Sequence, residues 1–501
     1  MKSRNDDTIV KKVVDESTGE ERIITLQQGH AKPTSRRDFL ATGILGFSGY
    51  VLAPSILNVL ARPEFAMAAD AQCAVSGSGM PAFIHVNLSG GASLSSNAPP
   101  LGQDRNPLAK YDLLGLGADN LFLTDDARSH TAFQGVRLSG NKTAGTPAGH
   151  FWLGLSQAAS AGALDKTSFV CVCVTSGDDS SNNPASVIGL VSAAGVTGDL
   201  LPSLGSRDGT GSGVGQIPAI IKPDAPLVVR SYADIESALK PAGSLATRLN
   251  EGRRRKLLEL VNSLSGSQAR AVAAVGSATG TKLAQVVECA TGKNIELASK
   301  ADPGIDPGLN SAIATVWGIT AGNKNGGTYA QAAMVYNALK GNSAVTGIDL
   351  GGYDYHGAGR AAQNTKDADA GRMVGRIIES ANALGKPVMI HVTSDGSVSS
   401  GSGSAFGGDF NNDSGNRGQT WIFAYDPNGR PAMKNDQFKH QVGYFTNGQG
   451  ATDQSAVGSV EKAAACVFAN YLAFAKQSAK FESIAPGVFQ RADMDEVIRF
   501  A

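Results

Sequence analysis

Short apolar runs that end abruptly in glycine or polar residues recur along the chain and predict buried β-strands. These runs cover 82–88, 168–174, 226–230, 345–350, 387–393 and 420–425. Stretches with helical periodicity separate them, at 151–164, 251–264, 329–339, 367–384 and 454–476. Asp453 precedes the last stretch and is expected to cap it or to lie in its first turn. The repeated order of strand, loop and helix predicts a largely parallel sheet with helices on both faces.

The mature chain is expected to fold as one domain. Residues 231–340 are mostly helical in pattern, and we predict that this block packs on the sheet as a cap. The predicted domain therefore covers 69–501, and residues 1–68 are assigned to an N-terminal extension and a signal peptide. Residues 1–34 are polar and charged, and they are left out of the predicted fold.

The N-terminal region carries a twin-arginine export motif, Ser35-Arg36-Arg37-Asp38-Phe39-Leu40. A weakly hydrophobic run, 41–61, follows it, and Ala66-Met67-Ala68 fits a small-residue cleavage site. These features predict export by the Tat translocase, a periplasmic location, and no stable membrane span in the mature chain. A retained N-terminal anchor is the alternative.

Charge and cysteine content exclude several classes of function. The chain has 44 Lys and Arg against 44 Asp and Glu, so no overall positive field would attract nucleic acid. The five cysteines include no CxxC pair, which removes the zinc-ribbon and thioredoxin signals. Cys171 and Cys173 share one face of a predicted strand and are expected to be small core residues. One disulfide remains open in an oxidising compartment.

The segment Val345–Gly357 carries the strongest candidate for chemistry. Its strand ends at Gly351 and Gly352, and Asp354 and His356 follow, two residues apart. Residues at i and i+2 of an extended segment point the same way, so a carboxylate and an imidazole would face one point, as a metal site needs. The alternative is a turn in which Asp354 bonds nearby N–H groups.

Serines follow the first predicted strand, at the end where open parallel sheets bind ligands. Ser93, Ser95 and Ser96 lie in this Gly- and Ser-rich turn. Ser93 and Ser95 are therefore candidate nucleophiles. A serine-rich turn without chemistry is the alternative.

Four short motifs behind the export signal carry a likeness to a known family. They are Ser89-Gly90-Gly91-Ala92-Ser93, Gly352-Tyr353-Asp354-Tyr355-His356, Thr393-Ser394-Asp395-Gly396 and Thr452-Asp453. Together they resemble the domain-of-unknown-function family 1501, a bacterial family similar to alkaline phosphatases and sulfatases. The resemblance implies a three-layer α/β/α sandwich with any site at the carboxyl ends of the strands.

The chain departs from that family's pattern at several ligand positions. Ser93 stands where the family has an acid, and the family's Ser-Glu-Phe-Gly-Arg motif is shortened to Ser394–Ser397. The late histidine of the family is absent at Asp413-Ser414-Gly415. The resemblance therefore implies at most one divalent ion (Zn, Mn, Ca or Mg), held by Asp354, His356 and Asp395, or none.

Two functions from different classes remain open on this sequence. One is a degenerate metal-dependent hydrolase of phosphate or sulfate esters, in which Ser93 or Ser95 attacks an ester polarised by the ion. The other is a non-catalytic binding or assembly protein of the cell envelope, on the same fold. The first predicts metal that leaves on chelation, and the second predicts a metal-free protein.

Overall fold

The structure is a computed structural model, and it describes most of the chain after residue 78. The described residues are 8–14, 21–27, 79–116, 121–124, 138–141, 146–147, 149–176, 187–196, 198, 200–206, 226–239, 256, 263, 267, 270, 274, 304–343, 345–357, 360–394, 396–403, 409–412, 415–434 and 440–501. The export motif and Asp395 lie outside them.

The described part of the chain contains both strands and helices. The strands are β1 (Thr8–Val14), β2 (Glu21–Gln27), β3 (Ala82–Gly91), β4 (Leu121–Thr124), β5 (Leu138–Asn141), β6 (Thr146–Pro147), β7 (Thr167–Ser176), β8 (Leu204–Gly205), β9 (Leu227–Val228), β10 (Thr346–Asp354), β11 (Val388–Ser394), β12 (Ser399–Ser400), β13 (Phe410–Asn412), β14 (Gly415–Tyr425) and β15 (Gln441–Val442). The α-helices are α1 (Leu94–Asn97), α2 (His150–Ala158), α3 (Ala161–Leu164), α4 (Ile188–Ala193), α5 (Tyr232–Leu239), α6 (Ser311–Trp317), α7 (Gly327–Leu339), α8 (Arg360–Leu384), α9 (Val460–Phe474), α10 (Phe481–Ile484) and α11 (Met494–Val497).

The chain divides into two compact units, Met1–Ala53 and Pro54–Ala501. In the first unit, β1 and β2 pair as an antiparallel sheet. These strands lie within residues 1–34, the segment that the prediction leaves out of the main domain. Apolar residues such as Ile9 and Val10 give this charged segment enough strand propensity to pair locally.

The second unit is built on an eight-stranded sheet, in the order β15-β7-β14-β11-β3-β10-β8-β9. All the adjacent pairs except the two that involve β14 are parallel. The prediction that five runs, at 82–88, 168–174, 345–350, 387–393 and 420–425, lie in one largely parallel sheet is confirmed. The candidate run at 226–230 also joins this sheet, as β9 at its edge.

The direction of β14 corrects one part of that prediction. This strand is antiparallel to both of its neighbours, β11 and β7, so the segment after Tyr425 leaves at the opposite edge of the sheet. A parallel neighbour would need a crossover connection, usually helical. The described part of the connection from β11 to β14 contains only the two short strands β12 and β13, and the chain turns back beside β11.

Apolar side chains fill both faces of the sheet. Ile84 and Val86 pack with residues of α2, α7 and α8, among them Leu155, Val335 and Ile377. On the other face, Phe83 and Met389 pack with residues of α4 and α9, among them Val191, Val467 and Phe468. Because neighbouring residues of β3 point to opposite faces, helices cover the sheet on both sides, which gives an α/β/α arrangement.

Two predicted helix boundaries were wrong. The run 151–164 forms two helices, α2 and α3, with Ser160 between them capping α3 through a hydrogen bond from the Ala163 N–H. The last long helix begins at Val460, and its cap is Ser459, which accepts from the Lys462 N–H. Asp453 is exposed and lies six residues before that cap. Gly458 packs against the backbone of Asp453, where a side chain would not fit.

The predicted helical block is described in part. It includes α5, α6 and α7, and α7 contacts β3 and β10 directly. Most of the predicted helix at 251–264 lies outside the described residues.

Candidate functional site

The candidate residues follow three neighbouring strands that end at the same edge of the sheet. We call this the carboxyl edge. In the order β11-β3-β10, the strands are parallel, Asp354 is level with Gly91, and Ser394 is level with Leu88. The strands β10 and β11 therefore end on either side of β3 and of the serine-rich turn that follows it.

Asp354 is the last residue of β10 and not a loop residue as predicted. Its side chain and that of His356 are exposed, whereas Tyr353 and Tyr355 between and beside them are buried, which is the expected alternation of an extended segment. Oδ1 of Asp354 accepts a hydrogen bond from the His356 N–H at 3.0 Å. This is the turn given above as the alternative to a metal site.

That turn leaves acceptor positions open on the Asp354 carboxylate. An ionised carboxylate has about four acceptor positions, and one backbone N–H uses one of them. A carboxylate oxygen and an imidazole nitrogen are also the right donors for Zn or Mn. The two residues therefore carry donor types that suit a divalent ion, and their role as ligands stays a prediction. A search of the described residues finds no group of three or more His, Cys, Asp or Glu side chains placed to share a metal ion.

Asp395 lies outside the described residues, but its neighbour shows how its strand is tied to β3. The Ser394 hydroxyl donates to the carbonyl oxygen of Leu88 at 3.1 Å and accepts from the Ala92 N–H at 2.8 Å. These two bonds hold the end of β11 against the turn that follows β3. Asp395 as a ligand stays a prediction.

The candidate nucleophiles Ser93 and Ser95 are placed inside the protein. Each is only 1% exposed. Within the described part of the chain, neither hydroxyl has a hydrogen-bond partner, so no base is placed to take a proton from either. A nucleophilic role for them stays a prediction, and it would require this turn to open and a base to approach.

Next to these serines lies a buried polar cluster that the sequence did not indicate. We call it the Asp367 cluster. Its centre, Asp367 on α8, is 3% exposed and accepts from Asn97 (2.8 Å), Gln363 (2.9 Å) and the Tyr355 hydroxyl (2.9 Å). These bonds join α8 to the turn after β3 and to the end of β10. A buried carboxylate needs such donors, so the cluster makes the arrangement of this edge specific.

A second set of polar residues lies on the face of β3 and its neighbours that is opposite to the Asp367 cluster. We call it the polar ladder. It begins at His85 and His391, which are level with each other on β3 and β11 and fully buried, with their Nδ1 atoms 3.1 Å apart. Nε2 of His391 is 2.6 Å from the Thr420 hydroxyl, which itself donates to the carbonyl oxygen of Val392. Since that hydroxyl has one proton, Nε2 of His391 is the donor to Thr420.

The polar ladder continues towards the carboxyl edge. The Thr393 hydroxyl is 3.3 Å from Nε2 of His85 and donates to Oδ1 of Asn87 at 3.2 Å. Asn87 donates to Oδ1 of Asp349 at 2.8 Å, and the Ser89 hydroxyl donates to the same oxygen at 2.8 Å. A chain of polar contacts therefore connects the buried histidines to half-exposed residues at the end of the strands.

Burial sets the charge of the histidine pair. It lowers the pKa of His85 to about 3. Burial first, and then the charge on the neighbouring His85, lower the pKa of His391 well below its ordinary value. Both rings are therefore neutral near pH 7, and a proton on either would be an unpaired charge in the core.

The polar ladder has a sequence signal that was overlooked. In 82–91, polar residues stand at alternate positions of an apolar run, His85, Asn87 and Ser89, and 388–394 repeats this with His391 and Thr393. Strands buried on both faces are normally almost continuously apolar. A polar residue at every second position therefore indicates that one face of the strand carries a polar network instead of apolar packing.

Glycines shape the end of β3. The backbone of Gly90 has a φ of +125°, and a Cβ there would lie 2.3 Å from the backbone nitrogen of Asp354. In the neighbouring strand β10, the register with β3 shifts between Leu350 and Tyr353. Gly351 and Gly352 therefore form a bulge opposite Ser89. Bulges of this kind often lie next to functional sites, because they redirect the side chains around them.

Comparisons of the chain with protein-family models, with curated proteins and with solved structures found no match. The functional argument therefore depends on the geometry of the carboxyl edge. In the part of the chain that the structure describes, no helix combines the length and the apolar character needed to cross a bilayer.

Proposed function

We propose that the protein is exported by the Tat pathway and hydrolyses phosphate or sulfate esters at the carboxyl edge of its sheet. The observation that carries this proposal is the parallel order β11-β3-β10, which brings the ends of β10 and β11 to either side of the end of β3. Open parallel sheets bind their ligands at this edge. A degenerate member of the family 1501 and of the wider alkaline phosphatase-like group would place its site there.

A single divalent ion is part of the proposal. Asp354, His356 and Asp395 would hold it, and a bound ion would polarise the ester oxygen. The protein's own contribution is to present these donors on strand ends that are fixed by pairing. The bonds of Ser394 to Leu88 and Ala92 fix one of these ends.

The second candidate function is a non-catalytic binding or assembly protein of the cell envelope. A specific observation favours it: Ser93 and Ser95 are buried, and within the described residues their hydroxyls have no partner. Such a protein would use the loops of the carboxyl edge to bind a partner protein or a glycan. The next experiment separates the two candidates.

The metal prediction is tested on purified, exported protein. We expect roughly one divalent ion per chain by mass spectrometry of the metal content, and loss of ester hydrolysis when EDTA removes it. At an ion concentration 100 times the Kd, removal should also cost about 2.7 kcal/mol of stability. A metal-free protein whose stability and activity ignore EDTA would favour the non-catalytic binding protein.

A matched pair of variants makes this test specific. Asp354→Ala should abolish metal binding without unfolding the protein, because the side chain is exposed. Asp426 makes the same kind of turn, accepting from the Asn428 N–H at 2.9 Å, but follows β14 and so lies at the opposite edge. Asp426→Ala should keep the ion, and equal loss in both variants would count against the site.

Export gives a separate prediction. Replacing Arg36 and Arg37 together with lysine should leave an unprocessed precursor in the cytoplasm, because the Tat receptor recognises the arginine pair. Cell fractionation and immunoblotting measure it, and a variant in which Lys11 and Lys12 become arginine serves as the control. Periplasmic protein at the normal level from the Arg36→Lys, Arg37→Lys variant would refute Tat export.

A further inference from the structure

Ser89, near the end of β3, is hydrogen-bonded to a carboxylate, unlike the serines of the following turn. Its hydroxyl donates to Oδ1 of Asp349 at 2.8 Å. Asn87 donates to the same oxygen at 2.8 Å and so orients the carboxylate. A hydroxyl, a base within hydrogen-bond reach and a third group that holds the base make up the arrangement of an activated nucleophile.

Access to Ser89 is provided by the bulge in β10. Leu350 pairs with Leu88 and Tyr353 with Gly90, so Gly351 and Gly352 stand opposite Ser89. Both glycines are exposed, and a Cβ at Gly351 would meet no atom within 4 Å. Ser89 itself is half-buried. A small ester can therefore approach this position, whereas Ser93 and Ser95 are closed off in the core.

Two neighbouring serine hydroxyls of this edge are used differently. Ser394 donates to the carbonyl oxygen of Leu88, and Ser206 accepts from the Asp349 N–H at 2.7 Å. Those bonds position the backbone. The bond from Ser89 to Asp349 joins a hydroxyl to a group that can take its proton.

A positive charge lies beside the same bulge. Nζ of Lys366 is 3.4 Å from the carbonyl oxygen of Gly351 and would be 2.9 Å from a Cβ at Gly352. The ring of Tyr353 lies beneath it, with Nζ 5.5 Å from the ring centre. An ammonium group held next to an opening favours an anionic ligand, such as a phosphate ester.

We propose that Ser89 is the nucleophile of this site, with Asp349 as its general base and Asn87 as a positioning residue. This inference rests on the proposed ester hydrolysis. Oγ of Ser89 bonds to the phosphorus of a phosphate monoester, and the bond to the alkoxide leaving group breaks. The hydroxyl proton passes to Asp349 and from there to the alkoxide, which leaves as an alcohol.

The second half of the reaction restores the enzyme. A water molecule attacks the phosphorus of the phosphoserine and gives its proton to Asp349. The bond from phosphorus to Oγ breaks, and Ser89 recovers a proton from Asp349 as inorganic phosphate leaves. No oxidant, reductant or second substrate is needed.

The test uses the full exported protein with p-nitrophenyl phosphate and p-nitrophenyl sulfate, assayed with each of Zn, Mn, Ca and Mg. Ser89→Ala should lower kcat roughly a thousandfold, as expected for loss of a nucleophile. Acid quenching followed by mass spectrometry should find phosphate on Ser89 in the unmodified protein. Asn87→Asp, a positioning change, should lower kcat more than it raises KM and should alter the pH profile.

The control is another serine that donates to a carboxylate. The Ser160 hydroxyl donates to Oε2 of Glu379 at 2.8 Å, between α2 and α3 and away from this edge. Ser160→Ala should keep the full hydrolytic rate. Circular dichroism and thermal unfolding establish that Ser89→Ala is folded, and Ser89→Cys repeats the test with a different nucleophile.

The outcomes separate this inference from the proposed function. Hydrolysis that persists in folded Ser89→Ala, or phosphate found on another serine, overturns the role of Ser89 and leaves the hydrolase standing. A protein that hydrolyses neither ester, with any of the four ions, and whose Ser89 does not react with a fluorophosphonate overturns both. A fluorophosphonate adduct on Ser89, in a protein that hydrolyses no ester, supports Ser89 as a nucleophile and contradicts the proposed ester hydrolysis.

Discussion

As the pH falls below 6.5, the folded protein should lose roughly 1.4 kcal/mol of stability per pH unit for each histidine of the His85–His391 pair that stays neutral, and for His85 this window extends to about pH 3. Burial holds both pKa values low in the folded state, that of His85 to about 3. In the unfolded chain both rings take up protons near pH 6.5. The unfolded state therefore binds more protons, and the stability that is present above pH 6.5 falls as the pH falls through this window.

Urea unfolding at pH 7.5, 6.0, 5.0 and 4.5 measures this slope. The variant His391→Asn should be less stable at pH 7.5, because it disturbs the bonds to His85 and Thr420, but its pH slope should be about half as steep. His356→Asn is the control, since that exposed ring should leave the slope unchanged. An unchanged slope in His391→Asn would show that other groups, such as carboxylates, cause the acid sensitivity.

Gly371→Ala should destabilise the protein by about 3 kcal/mol, at the upper end for overpacking, because no neighbour can move away. A Cβ at Gly371 of α8 would lie 2.0 Å from the carbonyl oxygen of Phe151 in α2. The contact is reciprocal, since a Cβ at Gly154 of α2 would lie 2.0 Å from the carbonyl oxygen of Ala368. The two helix backbones touch at these glycines, and any side chain would force the helices apart.

The control for this change is another helical glycine. Gly327, the first residue of α7, has no atom within 4 Å of an added Cβ. Gly327→Ala should be neutral or stabilising by up to about 1 kcal/mol, from helix propensity alone. Urea denaturation of both variants measures the difference, and equal effects would show that α2 and α8 are not in such close contact. The loss should also reach the carboxyl edge, because α8 carries Asp367 and Gln363.

The positions of these strands could be predicted because each apolar run indicates a strand from its local sequence alone. The runs 82–88 and 387–393 are mostly apolar and end in glycine or polar residues, which is typical of buried strands. The direction of 420–425 could not be predicted in this way. Periodicity is the same in both directions, so the geometry of the connection from β11 decides that β14 is antiparallel.

Helix ends were predicted less well, because several residues compete for the same role. Asp453 has the right side chain to cap a helix, yet Ser459 does so. Gly458 lies between them and packs against the backbone of Asp453, which keeps that segment out of the helix.

For the candidate site residues, some properties could likewise be predicted from the sequence and others could not. The exposure of Asp354 and His356 follows from alternation along a strand, and the sequence determines it. The burial of Ser93 and Ser95 depends on how the turn after β3 packs, which no local pattern records. Asp349 lies within the apolar run 345–350, and the local pattern gives it no role of its own. Its bond to Ser89 exists because β10 and β3 are neighbours in a particular register.

The sequence by itself therefore determined where the main strands of the sheet lie and that the sheet is largely parallel. These properties follow from the apolar periodicity and the order of elements along the chain. Only the tertiary structure decided which side chains meet, as in the pair His85 and His391 or the pair Ser89 and Asp349. Residues some 260 to 310 positions apart make these contacts, and strand order and register, which depend on the packing of the whole core, bring them together.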